Sequence, residues 1–312
     1  MFRLFKLRNF SEIFNDTFGF IRATGKNYFR NYIIVNSPFL VLLLILTYFI
    51  SKIFLDAVLG SVGVANSNRV IEEMFNNNVP FFVITTIVIV VLFVIITMLN
   101  YAYPVIYMKL YEDNAEPTTK QIVSELKKSI SKIILYVLLW FISFLPIGIL
   151  VGFFSALLFI TIIGIPFVFL LWAYMLCWMI QTFYDYLNGN SGYFESFGNG
   201  FSVARSKFWT HSGATLIIVI IVYIVQLVVS LLPAIFGVAS LFSPVQEQVT
   251  QEEALTFAGI VAIVFYIIST ITGYILGNII SISQGMIYYS YREENESHST
   301  FSEIDQIGLD SE

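Results

Sequence analysis

The residues that could carry chemistry in this sequence are few and widely separated. The two histidines, His211 and His298, lie far apart in the chain, and the single cysteine, Cys177, has no second cysteine to pair with. A metal site needs a cluster of such ligands, and a catalytic nucleophile needs a base within reach. Since the sequence also has no glycine-rich phosphate loop, it predicts a protein that is not an enzyme and holds no metal and no cofactor.

Amide side chains inside apolar stretches are the other polar groups of interest. Asn100, Gln226 and Asn278 stand in such stretches, as do Gln181 and Gln284. Amides in a membrane bundle often only hydrogen-bond neighbouring helices, at about 0.6 kcal/mol each. Alternatively, Asn100, Gln226 and Asn278 line a polar path. Since the apolar stretches hold no carboxylate, lysine or histidine, ion-coupled transport is disfavoured, and Asp185 at the end of one stretch is interpreted as a helix-end residue.

The elements that must position these groups are membrane helices. The chain is 57% hydrophobic and only 12% charged, whereas charged residues make up about a quarter of a soluble domain. Outer-membrane strands alternate apolar and polar residues, and the segment "VITTIVIVVLFVIITML" does not. The predicted fold class is therefore all-α, a polytopic membrane helix bundle.

The positions of the spans follow from five windows that contain no charged residue and no histidine. Each is at least as long as the ~20 residues that cross a hydrocarbon core as a helix. The third, residues 133–184, is too long for one span, and the Gly and Pro of "SALLFITIIGIP" indicate a tight hairpin there. Six spans are predicted, near 33–52, 81–108, 133–154, 162–184, 214–240 and 257–289.

Orientation follows from the distribution of Lys and Arg, which are retained on the cytoplasmic side. Fourteen of these residues fall on one predicted face and two, Lys52 and Arg69, on the other. Both termini are therefore predicted to be cytoplasmic. Residues 1–291 form one integral membrane domain in this interpretation, and residues 292–312 form an acidic cytoplasmic tail. The tail docks on the chain's own basic cytoplasmic helices or on a partner, or it is disordered.

Three amphipathic segments precede the first, third and fifth spans. The first carries Phe14, Phe18 and Arg22, and the third carries Phe197, Phe201 and Arg205 at the same spacing. The middle one, which follows Pro117, presents Ile122, Leu126 and Ile130 opposite its lysines. We expect the aromatic rings to enter the headgroup boundary, while the basic side chains face water and anionic lipid. The pattern predicts three tandem copies of an interfacial helix plus a hairpin. These helices either only fix topology or also gate a path or bind a lipid headgroup.

A stripe of small residues marks the sixth span as a packing helix. It consists of Ser269, Gly273, Gly277, Ser281 and Gly285, one small residue at every fourth position. Close backbone approach along such a stripe drives helix association in lipid. The partner is either another span of the chain or a second protomer.

The order of these parts carries a resemblance to a known family. With a last span that ends in "SQGMIYYSYREE" and a tail that contains "IDQIG", the chain resembles a family of uncharacterised six-span bacterial membrane proteins. That family looks like the membrane domain attached to some glycerophosphoryl diester phosphodiesterases. The resemblance implies the bacterial cytoplasmic (inner) membrane and no activity, since the phosphodiesterase barrel and its acidic and histidine catalytic residues are absent here.

The function expected from these patterns is that of a non-enzymatic integral membrane protein that organises or accompanies other membrane components. Its expected partners are the lipid bilayer and a membrane protein that binds the cytoplasmic helices and tail. No nucleic acid partner is expected. The alternative is a channel or facilitator for a neutral or lipid-like substrate.

Overall fold

The fold is a set of long α-helices, described by a computed structural model over residues 2–61, 67–113, 116–189, 191–242 and 251–296. Within these residues there are seven helices and no strand: α1 (Phe10–Ser61), α2 (Ser67–Asp113), α3 (Thr119–Phe159), α4 (Gly164–Asn188), α5 (Tyr193–Ser206), α6 (Phe208–Phe242) and α7 (Gln251–Glu296). Six of them, all except α5, contain a stretch long and apolar enough to cross a membrane. The predicted multi-pass helical class and the number of spans are confirmed.

The predicted hairpin between the third and fourth spans is present. α3 ends at Phe159 and α4 begins at Gly164, with a short turn between them. A methyl group added at Gly164 would lie 2.7 Å from the carbonyl carbon of Leu158, so only glycine fits this close approach of the backbone. Pro166 falls in the first turn of α4, where a missing N–H costs nothing.

The helices are longer than the predicted spans. α1 has 52 residues and α3 has 41, whereas about 20 suffice to cross the hydrocarbon core. The amphipathic segments before the first and third spans are therefore continuous with those spans. Only the third is a separate helix, α5, which ends where the backbone of Lys207 leaves the helical region (φ −129°, ψ 62°). The threefold repeat stays a prediction.

Two helix starts follow the expected capping chemistry. Asn9 caps α1: its side-chain oxygen accepts from the Glu12 N–H (3.0 Å), and the Asn9 N–H donates to the Glu12 carboxylate (2.9 Å). Thr118 and Gln121 form the same reciprocal pair at the start of α3, directly after Pro117.

The chain divides into two compact units, and the single integral membrane domain over residues 1–291 stays a prediction. Unit 1 comprises Met1–Val35, Asn100–Val222 and Gly277–Glu312, and unit 2 comprises Asn36–Leu99 and Tyr223–Leu276. Unit 2 contains an aliphatic cluster of Leu43, Leu92 and Ile96, all buried.

Unit 1 is built around the end of α7. Every residue from Ser281 to Ser290 is buried, which identifies this stretch as a central helix. The predicted sixth span, 257–289, therefore ends inside protein. α7 continues to Glu296, so the predicted tail begins within a helix. Residues 297–312, which hold the rest of the predicted tail, lie outside the described residues.

The N-terminal strap, Phe2–Asn9, docks within unit 1. The Phe2 N–H donates to the Tyr111 hydroxyl (2.7 Å), and the Arg8 N–H donates to the Ser290 hydroxyl (2.9 Å). This ordered segment was not predicted, because the sequence shows there only a basic, polar stretch ahead of the first span.

Arg8 holds the strap in shape. Its buried guanidinium donates to the backbone oxygens of Leu4 (2.7 Å) and Arg3 (2.9 Å) and to the Asp16 carboxylate (2.8 Å). Burial lowers the pKa of Arg8 from its ordinary value, and the Asp16 carboxylate opposes that shift. An arginine stays protonated in either case, so the strap folds around a charge that its own carbonyl groups solvate.

Candidate functional site

The first polar cluster of unit 1 joins α1, α2 and α7 and is called here the asparagine–tyrosine cluster: Tyr28, Tyr32, Asn100, Tyr103 and Asn278. The fully buried Asn278 accepts from the Tyr28 hydroxyl (2.6 Å) and donates to the Asn100 side-chain oxygen (3.1 Å). The Tyr32 hydroxyl donates to the same Asn100 oxygen (2.7 Å). The Tyr103 hydroxyl donates to the Tyr28 carbonyl (2.6 Å). Two amides and three tyrosines thus hydrogen-bond one another across three helices.

The second polar cluster joins α4, α6 and α7 and is called here the glutamine cluster: Gln181, Thr215 and Gln284. The Gln181 amide donates to the carbonyl (2.9 Å) and the side-chain oxygen (3.0 Å) of Gln284. The Gln284 amide in turn donates to the Thr215 hydroxyl (2.7 Å). All three residues are buried. Tyr184 adds a further bond from α4 to α7, through its hydroxyl to the Ser281 carbonyl (2.8 Å).

In both clusters, buried amide side chains hydrogen-bond partners on other helices. A buried polar group that finds no partner costs free energy, and partners on other helices satisfy it while fixing which helices meet. Asn278, Ser281 and Gln284 lie within two turns of α7 and connect it to α1, α2, α4 and α6. These polar residues hold the helices of unit 1 in register.

The three residues of the predicted polar path fall in two different units. Asn100 and Asn278 meet in unit 1. Gln226 belongs to unit 2, where its amide donates to the carbonyl (3.0 Å) and hydroxyl (2.7 Å) of Ser269. Within the described part of the chain, the side-chain oxygens of Gln181 and Gln226 have no hydrogen-bond partner.

The small-residue stripe of α7 faces other helices of the same chain. In unit 1, a methyl group added at Gly285 would lie 2.8 Å from both the Met108 methyl group and the Tyr184 hydroxyl. One added at Gly277 would lie 3.3 Å from the Asn100 amide nitrogen. Ser281 contributes the carbonyl that Tyr184 binds. In unit 2, Ser269 binds Gln226, and a methyl group added at Gly273 would lie 3.4 Å from the oxygen of that same residue.

The predicted interfacial face of α1 lies beside its buried face. Phe14 and Phe18 are half-buried and contact each other, with ring centroids 5.0 Å apart, and Arg22 is exposed. The face that packs against protein carries Ile13, Thr17, Phe20, Thr24 and Tyr28. The buried face is therefore rotated about the helix axis from the face that carries Phe14 and Phe18.

α5 packs its aromatic residues against α4. Trp178 donates its ring N–H to the Phe197 carbonyl (3.0 Å), and its ring lies 4.7 Å from Phe197 and 4.9 Å from Phe201. The exposed Arg205 guanidinium lies 5.9 Å from the Phe201 ring centroid, within cation–π distance. Phe197 and Phe201 are thus half-buried by protein, while Phe194 on the same helix is 69% exposed.

The described residues that could take part in chemistry, His211, Cys177 and Asp185, lie on α6 and α4. His211 is buried in α6 with its Nδ1 2.8 Å from the Val203 carbonyl, Cys177 is buried in α4, and His298 lies outside the described residues. Asp185 accepts a hydrogen bond from Asn199 (3.0 Å) at the end of α4. In the part of the chain that the structure describes, no three His, Cys, Asp or Glu side chains could hold a metal ion.

These features define the class of the protein. It is a multi-pass α-helical protein with six stretches suited to cross a membrane. No family model, no curated protein and no solved structure matches the chain. Its function therefore has to be inferred from its own residues.

Tyr28 provides a test of the asparagine–tyrosine cluster. Tyr28→Phe removes the hydroxyl that binds Asn278 and leaves the ring in place, so we expect a loss of about 1–2 kcal/mol in the free energy of unfolding. Reversible unfolding in mixed micelles measures it. Tyr48→Phe, at an exposed tyrosine, is the matched control and should change the free energy by less than about 0.5 kcal/mol. Equal effects of the two changes would argue against the cluster.

Proposed function

We propose that this chain is a non-enzymatic integral protein of the bacterial cytoplasmic membrane, which organises or accompanies other membrane components. The observation that carries the proposal is the mutual pairing of the buried amides in unit 1. Asn100 binds Asn278, and Gln181 binds Gln284. A path for a polar solute needs such groups to remain available to the solute. Here they serve the packing of helices, which suits a rigid platform for a partner.

The orientation in this proposal places both termini in the cytoplasm. Three helices of unit 1 change from basic to exposed apolar residues in the same chain direction, at Arg30 and Ile33 in α1 and at Lys132 and Ile134 in α3. At the start of α6 the change lies between Lys207, which directly precedes the helix, and Trp209. Basic residues at the start of the first, third and fifth spans support a common cytoplasmic face. The resemblance to six-span bacterial proteins supports the same membrane.

A second candidate is a channel or facilitator for a neutral or lipid-like substrate. It is favoured by the side-chain oxygens of Gln181 and Gln226, which are buried without a partner among the described residues. Buried polar atoms of this kind call for an explanation, and a transient ligand is one. Gln181 lies in unit 1 and Gln226 in unit 2, so a substrate site at one oxygen is proposed independently of a site at the other.

Extraction from the native membrane separates the two candidates. We expect the tagged protein, isolated in polymer discs, to carry a membrane protein at a fixed stoichiometry that mass spectrometry identifies. In liposomes, we expect the purified chain to move no neutral solute above the rate of empty vesicles. A flux that Gln181→Leu or Gln226→Leu abolishes, while the exposed Tyr223→Leu leaves it unchanged, would contradict the organising role and support transport.

A further inference from the structure

Three basic residues form a stripe on the exposed side of α1. Arg22, Lys26 and Arg30 follow one another at every fourth position, and all three side chains are exposed. Residues at this spacing lie on one face of a helix, one turn above the other. The opposite side of α1 is buried and carries Thr24 and Tyr28. The basic stripe therefore points away from the protein.

The chain supplies no counter-charge to this stripe in the residues that the structure describes. Lys109 and Lys128 both bind Glu125, and Lys207 binds Glu294. By contrast, Arg22, Lys26 and Arg30 form no hydrogen bond or ion pair within the described ranges. Like charges four residues apart destabilise a helix. An external anion would relieve this repulsion.

The position of the stripe along α1 identifies the source of that anion. Ile33 and Ile34, which follow Arg30 directly, are 53% and 47% exposed. Exposed aliphatic side chains within a helix that is long and apolar enough to cross a membrane belong in hydrocarbon. Arg30 precedes Ile33 by three residues, about 4.5 Å along the helix axis. Since long basic side chains extend toward the interface, Arg30 and Lys26 reach the level of the headgroups.

We propose that the basic stripe, Arg22, Lys26 and Arg30, is a binding site for the phosphate groups of anionic phospholipids in the adjacent leaflet. The planar guanidinium groups of Arg22 and Arg30 suit bidentate hydrogen bonds to phosphate oxygens, and Lys26 adds a compact charge between them. The site goes beyond the organising role, because it recognises lipid whether or not a protein partner binds elsewhere.

Lipid retention tests the site. The full chain is placed in discs of phosphatidylcholine mixed with phosphatidylglycerol, released into detergent, and examined by native mass spectrometry. We expect the wild type to retain phosphatidylglycerol preferentially. Since each basic residue near an anionic surface contributes about fivefold, R22Q/K26Q/R30Q should lower this preference by about a hundredfold at low salt. Added salt should weaken the wild-type preference.

Two control variants keep the result interpretable. R22K/R30K retains the three charges but loses the bidentate guanidinium groups, so its preference should lie between those of the wild type and R22Q/K26Q/R30Q. K109Q/K128Q/K207Q removes the same number of charges from residues that already form ion pairs, and it should bind phosphatidylglycerol as the wild type does. An unchanged preference for phosphatidylglycerol in R22Q/K26Q/R30Q overturns the proposal. So does a result in which this variant loses a copurified protein but retains the lipid.

Discussion

Gly200→Ala should destabilise the protein by about 2–3 kcal/mol, although alanine normally stabilises a helix. A methyl group at Gly200 would lie 2.5 Å from the backbone nitrogen and 2.8 Å from the Cα of Thr182. Because these are backbone atoms, no rotamer change relieves the contact, and α5 has to move away from α4. Overpacking of this kind typically costs 1–3 kcal/mol.

Gly198→Ala is the matched control for this change. Gly198 lies in the same helix, is exposed, and would have no atom within 4 Å of an added methyl group. Alanine there should stabilise α5 by about 0.5–1 kcal/mol. Unfolding in mixed micelles gives the sign of each effect, and tryptic cleavage after Arg205 and Lys207 should become faster only in Gly200→Ala. The same sign in both variants would show that α5 does not pack against α4 as described.

Arg8→Met should release the N-terminal strap at a cost of about 3 kcal/mol. The change removes the charged hydrogen bonds to Asp16 and to the carbonyl groups of Leu4 and Arg3, and a hydrogen bond to a charged group is worth about 1.5–3 kcal/mol. The backbone N–H of residue 8 donates to the Ser290 hydroxyl in the wild type. Hydrogen exchange measured by mass spectrometry should show that this N–H loses its protection in Arg8→Met.

Lys6→Met serves as the comparison for Arg8. Lys6 also contacts Asp16 (3.4 Å), but its side chain is 41% exposed. An exposed ion pair contributes at most about 1 kcal/mol, so the strap should stay docked and its amides protected. If Lys6→Met released the strap as fully as Arg8→Met does, the strap would be held by its net positive charge and not by the hydrogen bonds of the buried Arg8 guanidinium.

The features that sequence patterns predicted well are those that depend on hydrophobicity alone. The uncharged windows predicted six spans, and each lies within or nearly within a helix of the structure. Gly164 and Pro166 predicted the break of the third window because glycine and proline act locally, through sterics and a missing N–H. The sequence predicted that Asn100 and Asn278 could hydrogen-bond neighbouring helices. It did not predict which residues they bind, because the partners depend on tertiary packing.

The buried face of α1 was missed because threonine looks polar in a sequence. Thr17 donates its hydroxyl to the Ile13 carbonyl (2.7 Å), and Thr24 donates to the Phe20 carbonyl (2.8 Å). A hydroxyl satisfied by its own helix lets the side chain pack like an aliphatic one. Phe14 and Phe18, the more conspicuous residues, therefore lie beside the packed face.

The tyrosines of unit 1 were missed for a related reason. Tyrosine is common at membrane interfaces, where one end is apolar and the other hydrated. Here Tyr28 and Tyr103 are buried, with their hydroxyl groups bound to α7 and α1. No sequence signal distinguishes the two uses of a tyrosine, because the acceptor lies far away in the chain.

The order of the helices makes α7 the last described helix of unit 1 to leave the ribosome. Until it does, Asn100, Gln181 and Tyr184 are already synthesised but lack the hydrogen-bond partners that α7 supplies. The strap, although translated first, lacks its hydrogen bond to Ser290 until that residue has emerged. A nascent chain halted before Gly277 would therefore expose amides without their α7 partners and a strap without its Ser290 contact. These two features together would allow cellular quality control to recognise a chain that lacks the end of α7.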